Sequence, residues 1–185
     1  LLERGAIVTG IDISENEMSK FSSTFPESTA ICSSILSTGL PDNSFDCVVI
    51  VGGLHHLHPH VDIAIEEIHR ILKPGGKFVF VEPHKGSLPD IVREQWYKRD
   101  KLFAENEAAI DLISLKQKFS DKFIFIKEDY KGNIAYLFVL NSMIFRIPLA
   151  LKRLYSPLLF WLESLFQKLQ GPRLSCFVIC QWAKK

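Results

Sequence analysis

The chain has 185 residues, 47% of them hydrophobic and 23% charged, with a formal net charge of +1. That length favours one domain with a sizeable core, and the near-neutral balance removes the electrostatic basis for a nucleic-acid partner. The four cysteines, Cys32, Cys47, Cys176 and Cys180, have no CxxC spacing and sit mostly in apolar runs, so buried thiols in a reducing cytoplasm are expected. Leu1 to Gly10 lacks the charged region and long apolar core of a secretory signal.

Leu1-Leu2-Glu3-Arg4-Gly5 reads as the last turn of a helix stopped at Gly5, and no initiator methionine is present, so an amino-terminally incomplete chain is expected. Ala6 to Ile13, AIVTGIDI, is a β-branched strand with Asp12 near its carboxyl end. An acid there can accept both hydroxyls of a ribose. It could instead cap the next helix, but Ser14 with Glu17 three residues on forms a capping box, which leaves Asp12 available. The helix Glu15–Phe25 ends at Pro26. Thr29 to Ile35 is a second apolar run, where Ser33 and Ser34 could meet a nucleobase edge or serve as plain loop residues. Pro41-Asp42-Asn43 is turn chemistry, and Phe45 anchors the strand that follows.

Cys47 to Val51 is short and β-branched enough to be buried on both faces. After Gly52-Gly53 and a histidine cluster comes a helical repeat, with Ile65, Ile68, Ile71 and Leu72 on one face and Glu66, Glu67 and Arg70 on the other. Lys73-Pro74-Gly75-Gly76 stops it, and Lys77 to Val81 is a second strand. This is a strand–helix–strand crossover, and ligands in such sheets sit beyond the carboxyl ends of the strands, here at Gly52 to His56.

Four pieces stand in order: VTGIDIS at Val8–Ser14, LPDNSFDCVV at Leu40–Val49, GLHHL at Gly53–Leu57 and ILKPGGKFVFVEP at Ile71–Pro83. Together, at this spacing, they resemble the class I S-adenosylmethionine-dependent methyltransferases, especially their type 11 branch. The resemblance is strong from Leu1 to about Pro83 and architectural beyond. It implies an α/β fold: a Rossmann-like three-layer sandwich, its sheet mostly parallel with one antiparallel strand near the C-terminus, joined here by a helical insertion. It also implies S-adenosyl-L-methionine as cofactor and a small or lipid-linked methyl acceptor. By position, the family's ribose-binding acid falls on Asp12, and Ile13 packs near the adenosine. Ser34, followed by Ile35, takes the place of the acid that often meets the adenine amine. Val51, Gly52 and Gly53 run beneath the methionine portion. The family's first strand and glycine-rich loop, on the order of 30 residues, have no counterpart in this sequence. The resemblance puts that strand at the sheet's centre, so a gap between two exposed edges and weak cofactor binding are expected.

The run His55-His56-Leu57-His58-Pro59-His60, with Asp62 behind it, is similar to the HxHxDH run of metallo-hydrolases, but His60 stands where that motif requires aspartate. No metal is expected. His56 is the candidate catalytic residue, because a neutral imidazole at the pocket can take the proton of a hydroxyl nucleophile. Its other use is to buttress the loop. His58 and His60 read as solvent-side loop residues.

Leu88 to Ser120 is helical in pattern, with Trp96 and Tyr97 able to line a substrate pocket or pack in the core. Phe123–Lys127 and Ile134–Asn141 read as strands joined by a turn, Leu174–Trp182 as the last strand, antiparallel, and Lys184-Lys185 as a solvated end. Between these strands, Pro148 and Pro157 divide residues 143–171 into two short apolar helices. No stretch there has the 18 or so uninterrupted apolar residues of a spanning helix. The segment reads either as a lid over the pocket or as a peripheral membrane-surface element on an otherwise cytoplasmic protein. Three rival classes remain: a nicotinamide dehydrogenase, a metal hydrolase, and a non-catalytic module keeping the same fold.

Overall fold

The computed structural model describes residues 1–97, 108–133, 135–140, 147–166 and 170–185. β1 (Thr9–Asp12) and β2 (Thr29–Cys32) flank α1 (Glu15–Thr24), whose first turn is closed by Ser14 Oγ accepting from the Glu17 N–H at 3.3 Å. β3 (Phe45–Val51) passes through α2 (Val61–Ile71) into β4 (Leu72–Pro83). Then come α3 (Leu88–Tyr97), α4 (Leu112–Lys118), β5 (Phe123–Lys131), a π-helical turn at Tyr136–Leu140, α5 (Leu149–Phe166) and β6 (Phe177–Lys184).

β1 pairs in parallel with β2, and β3 in parallel with β4. β6 lies antiparallel between β4 and β5, giving the order β3-β4-β6-β5. This is the mostly parallel α/β sheet with one late antiparallel strand that the sequence implies. The two sheets share no hydrogen-bonded strand pair among the described residues. A cavity of about 590 Å³ lies between them, walled by Thr9 and Ile11 of β1 and by Cys47, Val49 and Val51 of β3.

The core fills one face of the larger sheet. α2 sets Ala64, Ile65 and Ile68 against Phe78, Phe80, Val178, Cys180 and Trp182, all buried. The Trp182 ring meets Phe80 and Phe125 edge-on at 5.0 and 4.9 Å between centroids, a geometry that aromatic quadrupoles favour. The opposite face carries Val49 and Val51 beside Val79 and Val81, and there Val51 is 71% exposed.

Several local expectations are corrected. Ile134–Asn141 is not a strand: Tyr136–Leu140 is a π-helical turn, and residues 134 and 141 lie outside the described residues. β6 occupies the place beside β5, and Glu163 Oε2 accepts from the Ala135 and Tyr136 N–H groups at 2.7 and 3.3 Å, which starts a helical turn. Pro157 does not divide the insertion either. It sits inside the continuous helix α5, on an exposed stretch where water can satisfy the carbonyl freed one turn earlier. Pro148 lies just before that helix, and its C=O accepts from Leu151 and Lys152. Cys176 and Cys180 are buried, and burial pushes both thiols up to about 12, but Cys32 and Cys47 are exposed. Lys184 is not solvated: its Nζ donates to the carbonyls of His69 and Leu72 at 2.7 and 2.8 Å, placing a cation on the carboxyl end of α2.

Candidate functional site

The cavity opens at the carboxyl ends of β1, β2 and β3, and Asp12, Ile13, Ser33, Ser34, Ile35, Val51 and Gly53 line it. Asp12 is not wholly available, as the capping box suggested it would be. Its Oδ1 accepts from the Ser14 N–H at 2.8 Å, because an acid two residues ahead of an N-cap closes an Asx turn. Its Oδ2 makes no hydrogen bond among the described residues, and the side chain is exposed. Ile13 beside it is 77% exposed. The Ser33 N–H donates to the Asp12 carbonyl at 3.0 Å, which ties the end of β2 to the end of β1. Ser34 Oγ accepts from the Leu36 N–H at 3.2 Å and keeps its own proton to donate.

Gly52 and Gly53 turn the chain away from β3. Gly52 has φ +64 and donates its N–H to the Val81 carbonyl at 2.8 Å. A Cβ on Gly53 would stand 2.9 Å from Ile50 Cγ2, so a side chain there forces the Ile50 side chain to move. Of the expected cofactor residues, Asp12, Ile13, Ser34, Ile35, Val51 and Gly53 come together on the cavity, and Gly52 supports its floor without lining it.

The residue that sequence reasoning overlooked is Glu82. It is fully buried near the end of β4 and faces the turn after β3. Its Oε1 accepts from the Gly53 and Leu54 N–H groups, each at 2.8 Å, and its Oε2 accepts from the His55 N–H at 3.3 Å. His55 Nδ1 lies 2.7 Å from the same Oε2, so the tautomer with hydrogen on Nδ1 donates to it. One carboxylate therefore gathers three successive backbone donors of the turn and fixes the His55 ring. The available signal was an acid at an inward position of an otherwise apolar run, KFVFVEP.

His56 is exposed and stacks on His55 with 3.9 Å between ring centroids, but it does not line the cavity. His58 is half-buried, against the solvent-side expectation, and burial holds its pKa below the ordinary imidazole value. Among the described residues no group of three His, Cys, Asp or Glu side chains is placed to hold a metal ion. Just past the end of β4, His84 is 3% exposed, and burial lowers its pKa too. The side chains of Trp96 and Tyr97, weighed above as pocket residues, lie outside the described residues.

The parallel pair β1-β2 and the sheet β3-β4-β6-β5 thus face each other across one cleft at the carboxyl ends of their parallel strands. Residues 1–80 match the family model described as a methyltransferase domain, and in that segment the chain is similar to the type 11 methyltransferases that its sequence resembles. It is 44% identical over 57 residues to the ubiquinone/menaquinone biosynthesis C-methyltransferase UbiE of Brucella canis, a match covering 30% of this chain and 21% of the relative. It is 39% identical over 85 residues to the demethylmenaquinone methyltransferase of Staphylococcus aureus, covering 44% of this chain and 35% of that one. The chain therefore spans about a fifth to a third of the curated relatives it matches. In overall structure it is similar to the N-methyltransferase NodS of Bradyrhizobium japonicum in complex with S-adenosyl-L-homocysteine, with a TM-score of 0.55 at 12% identity, covering 96% of this chain and 66% of that chain.

Proposed function

We propose that this chain supplies the cofactor cleft of a methyltransferase that moves the methyl group of S-adenosylmethionine to a small or lipid-linked acceptor of the quinone class. The observation that carries this reading is the convergence of Asp12, Ser34, Val51 and Gly53 on one cleft. The residues present fit the group. The cleft volume is within the usual range for small-molecule sites, its walls are largely apolar, and a carboxylate oxygen without a protein partner stands at its rim. Asp12 Oδ2 would hold the ribose hydroxyls. Ile13 and Ile35 would enclose the adenine, whose edge the Ser34 hydroxyl would meet. Val51, Gly52 and Gly53 would pass beneath the methionine portion. When bound, the cofactor supplies an electrophilic methyl on a sulfonium, so the protein's part is to orient the acceptor and exclude water.

The Glu82 carboxylate acts in this scheme by fixing the turn on which Gly53 and His55 sit. His56, whose ring lies 3.9 Å from that of His55 and outside the cleft lining, would take the acceptor's proton if the acceptor reaches it from the cleft and reacts as a hydroxyl. The quinone class rests on the names of the two relatives and on their matching segments alone. The test is to incubate the chain with methyl-labelled S-adenosylmethionine and a ring-demethylated quinone, then count label in the organic extract. Label above a no-protein control supports transfer. Homocysteine-analogue binding without label supports the second reading, a binding module that keeps the fold without the chemistry, which the division of the sheet into two parts favours.

A further inference from the structure

Helix α5 is built with its polar side inward. Lys152, only 6% exposed, donates from Nζ to the Val139 carbonyl at 2.8 Å, and the Tyr155 hydroxyl donates to the Phe138 carbonyl at 2.8 Å. Glu163 turns the same way to accept the two N–H groups at the start of the π-helical turn. The outward side carries Leu151, Leu154, Leu158, Trp161 and Leu165, at alternating spacings of three and four that put them in one stripe. These five are 52, 81, 58, 57 and 55% exposed. Single exposed leucines need no explanation, but four in one row with a tryptophan among them form a patch that selects for an apolar partner.

Charge decides which partner. Residues 143–174 contain five cations, Arg146, Lys152, Arg153, Lys168 and Arg173, against one acid, Glu163. Glu163 and Lys152 are used internally, and the described charges left outward, Arg153 and Arg173, are both positive. An apolar stripe bearing tryptophan, on a helix whose one described outward charge is the cation Arg153, is complementary to the headgroup region of an anionic bilayer. A second copy of the same stripe would bring like charges together. No helix among the described residues is long and apolar enough to cross a membrane, so the contact is one of lying on the surface.

We infer that α5 is a membrane-surface anchor that lays Leu151, Leu154, Leu158, Trp161 and Leu165 onto an anionic bilayer. The inference stands apart from methyl transfer. The 185-residue chain is floated with vesicles of phosphatidylcholine alone, or of phosphatidylcholine mixed with phosphatidylglycerol, at low and high salt. The chain co-floats with the anionic vesicles, several-fold less with the neutral ones, and less at high salt. The double substitution Leu154→Gln/Trp161→Gln lowers the partition about tenfold or more with an unchanged far-ultraviolet spectrum. Ile113→Gln, on the exposed side of α4, leaves it unaltered. Failure of the parent chain to float overturns the anchor, as does an equal loss with Ile113→Gln. A parent dimer that the double substitution splits, with no vesicle capture, assigns the stripe to self-association and equally overturns it.

Discussion

Replacing Glu82 with alanine tests the organisation of the site at its least visible residue. The carboxylate is fully buried and accepts from the N–H groups of Gly53, Leu54 and His55 and from the His55 ring. Alanine removes all four interactions and leaves the Leu54 N–H buried without a partner, while those of Gly53 and His55 gain partial access to water. A buried donor left unpaired costs about 1–3 kcal/mol, and a partly solvated one less, so the sum is about 3–5 kcal/mol. Glutamine keeps one acceptor oxygen but turns an amide toward the remaining donors, and its cost is about 1.5–3 kcal/mol. Urea denaturation of parent, Glu82→Ala and Glu82→Gln, with matching m-values, gives both numbers. Amide exchange at residues 53–55 should accelerate in step with the loss, since the turn is what the carboxylate holds. A loss below about 1 kcal/mol in Glu82→Ala, with exchange at 53–55 unchanged, would refute the reasoning.

Three further outcomes follow from the same geometry. Trp182→Ala should cost about 3–5 kcal/mol, but Trp182→Phe only about 1–2, because the buried indole Nε1 has no hydrogen-bond partner among the described residues; equal losses in thermal denaturation would contradict this. Stability should fall in two steps on acidification. Burial lowers the pKa of His58 and His84, so their contribution is complete above about pH 6.5 and declines as the pH drops toward their folded values. The Arg70 guanidinium and then Thr38 hold Glu67 at about 2, and its contribution, on the order of 1–2 kcal/mol after solvent screening, is lost below about pH 4.5. Denaturation midpoints measured from pH 8 to pH 3 should show both steps, and His84→Phe should flatten the first. Finally, Asp12→Asn keeps an oxygen for the Ser14 N–H and removes the charge, so it should weaken S-adenosylhomocysteine binding about tenfold without lowering stability.

The fold was legible where each local signal agreed with its neighbours. Ser14 and Glu17 marked the start of α1, the β-branched runs marked β1 and β3, and the isoleucine repeat marked the buried face of α2. Legibility failed where tertiary contacts chose between local options. Ile134–Asn141 reads as an apolar strand, but the Glu163 carboxylate, 28 residues after Ala135, accepts the N–H groups of Ala135 and Tyr136, and Lys152 and Tyr155 donate to the Val139 and Phe138 carbonyls of the same turn. Pro157 should break a helix, yet α5 passes through it where water reaches the freed carbonyl. Asp12, Ser34 and Gly53, proposed from the strand ends and from the resemblance, do line one cleft. Glu82 was hidden because an acid in an apolar strand has no meaning until the turn it serves is known. The half-use of Asp12 in an Asx turn was likewise a matter of geometry rather than residue type.

The central claim is that the cleft between the two sheets receives the cofactor. Calorimetric titration of S-adenosylhomocysteine into the 185-residue chain, beside Ser34→Trp, whose indole would fill the cleft, tests it most directly. The account predicts saturable heat with the parent, however weak, and none with the variant. Absence of heat with the parent at millimolar ligand, or equal binding by Ser34→Trp, would contradict it.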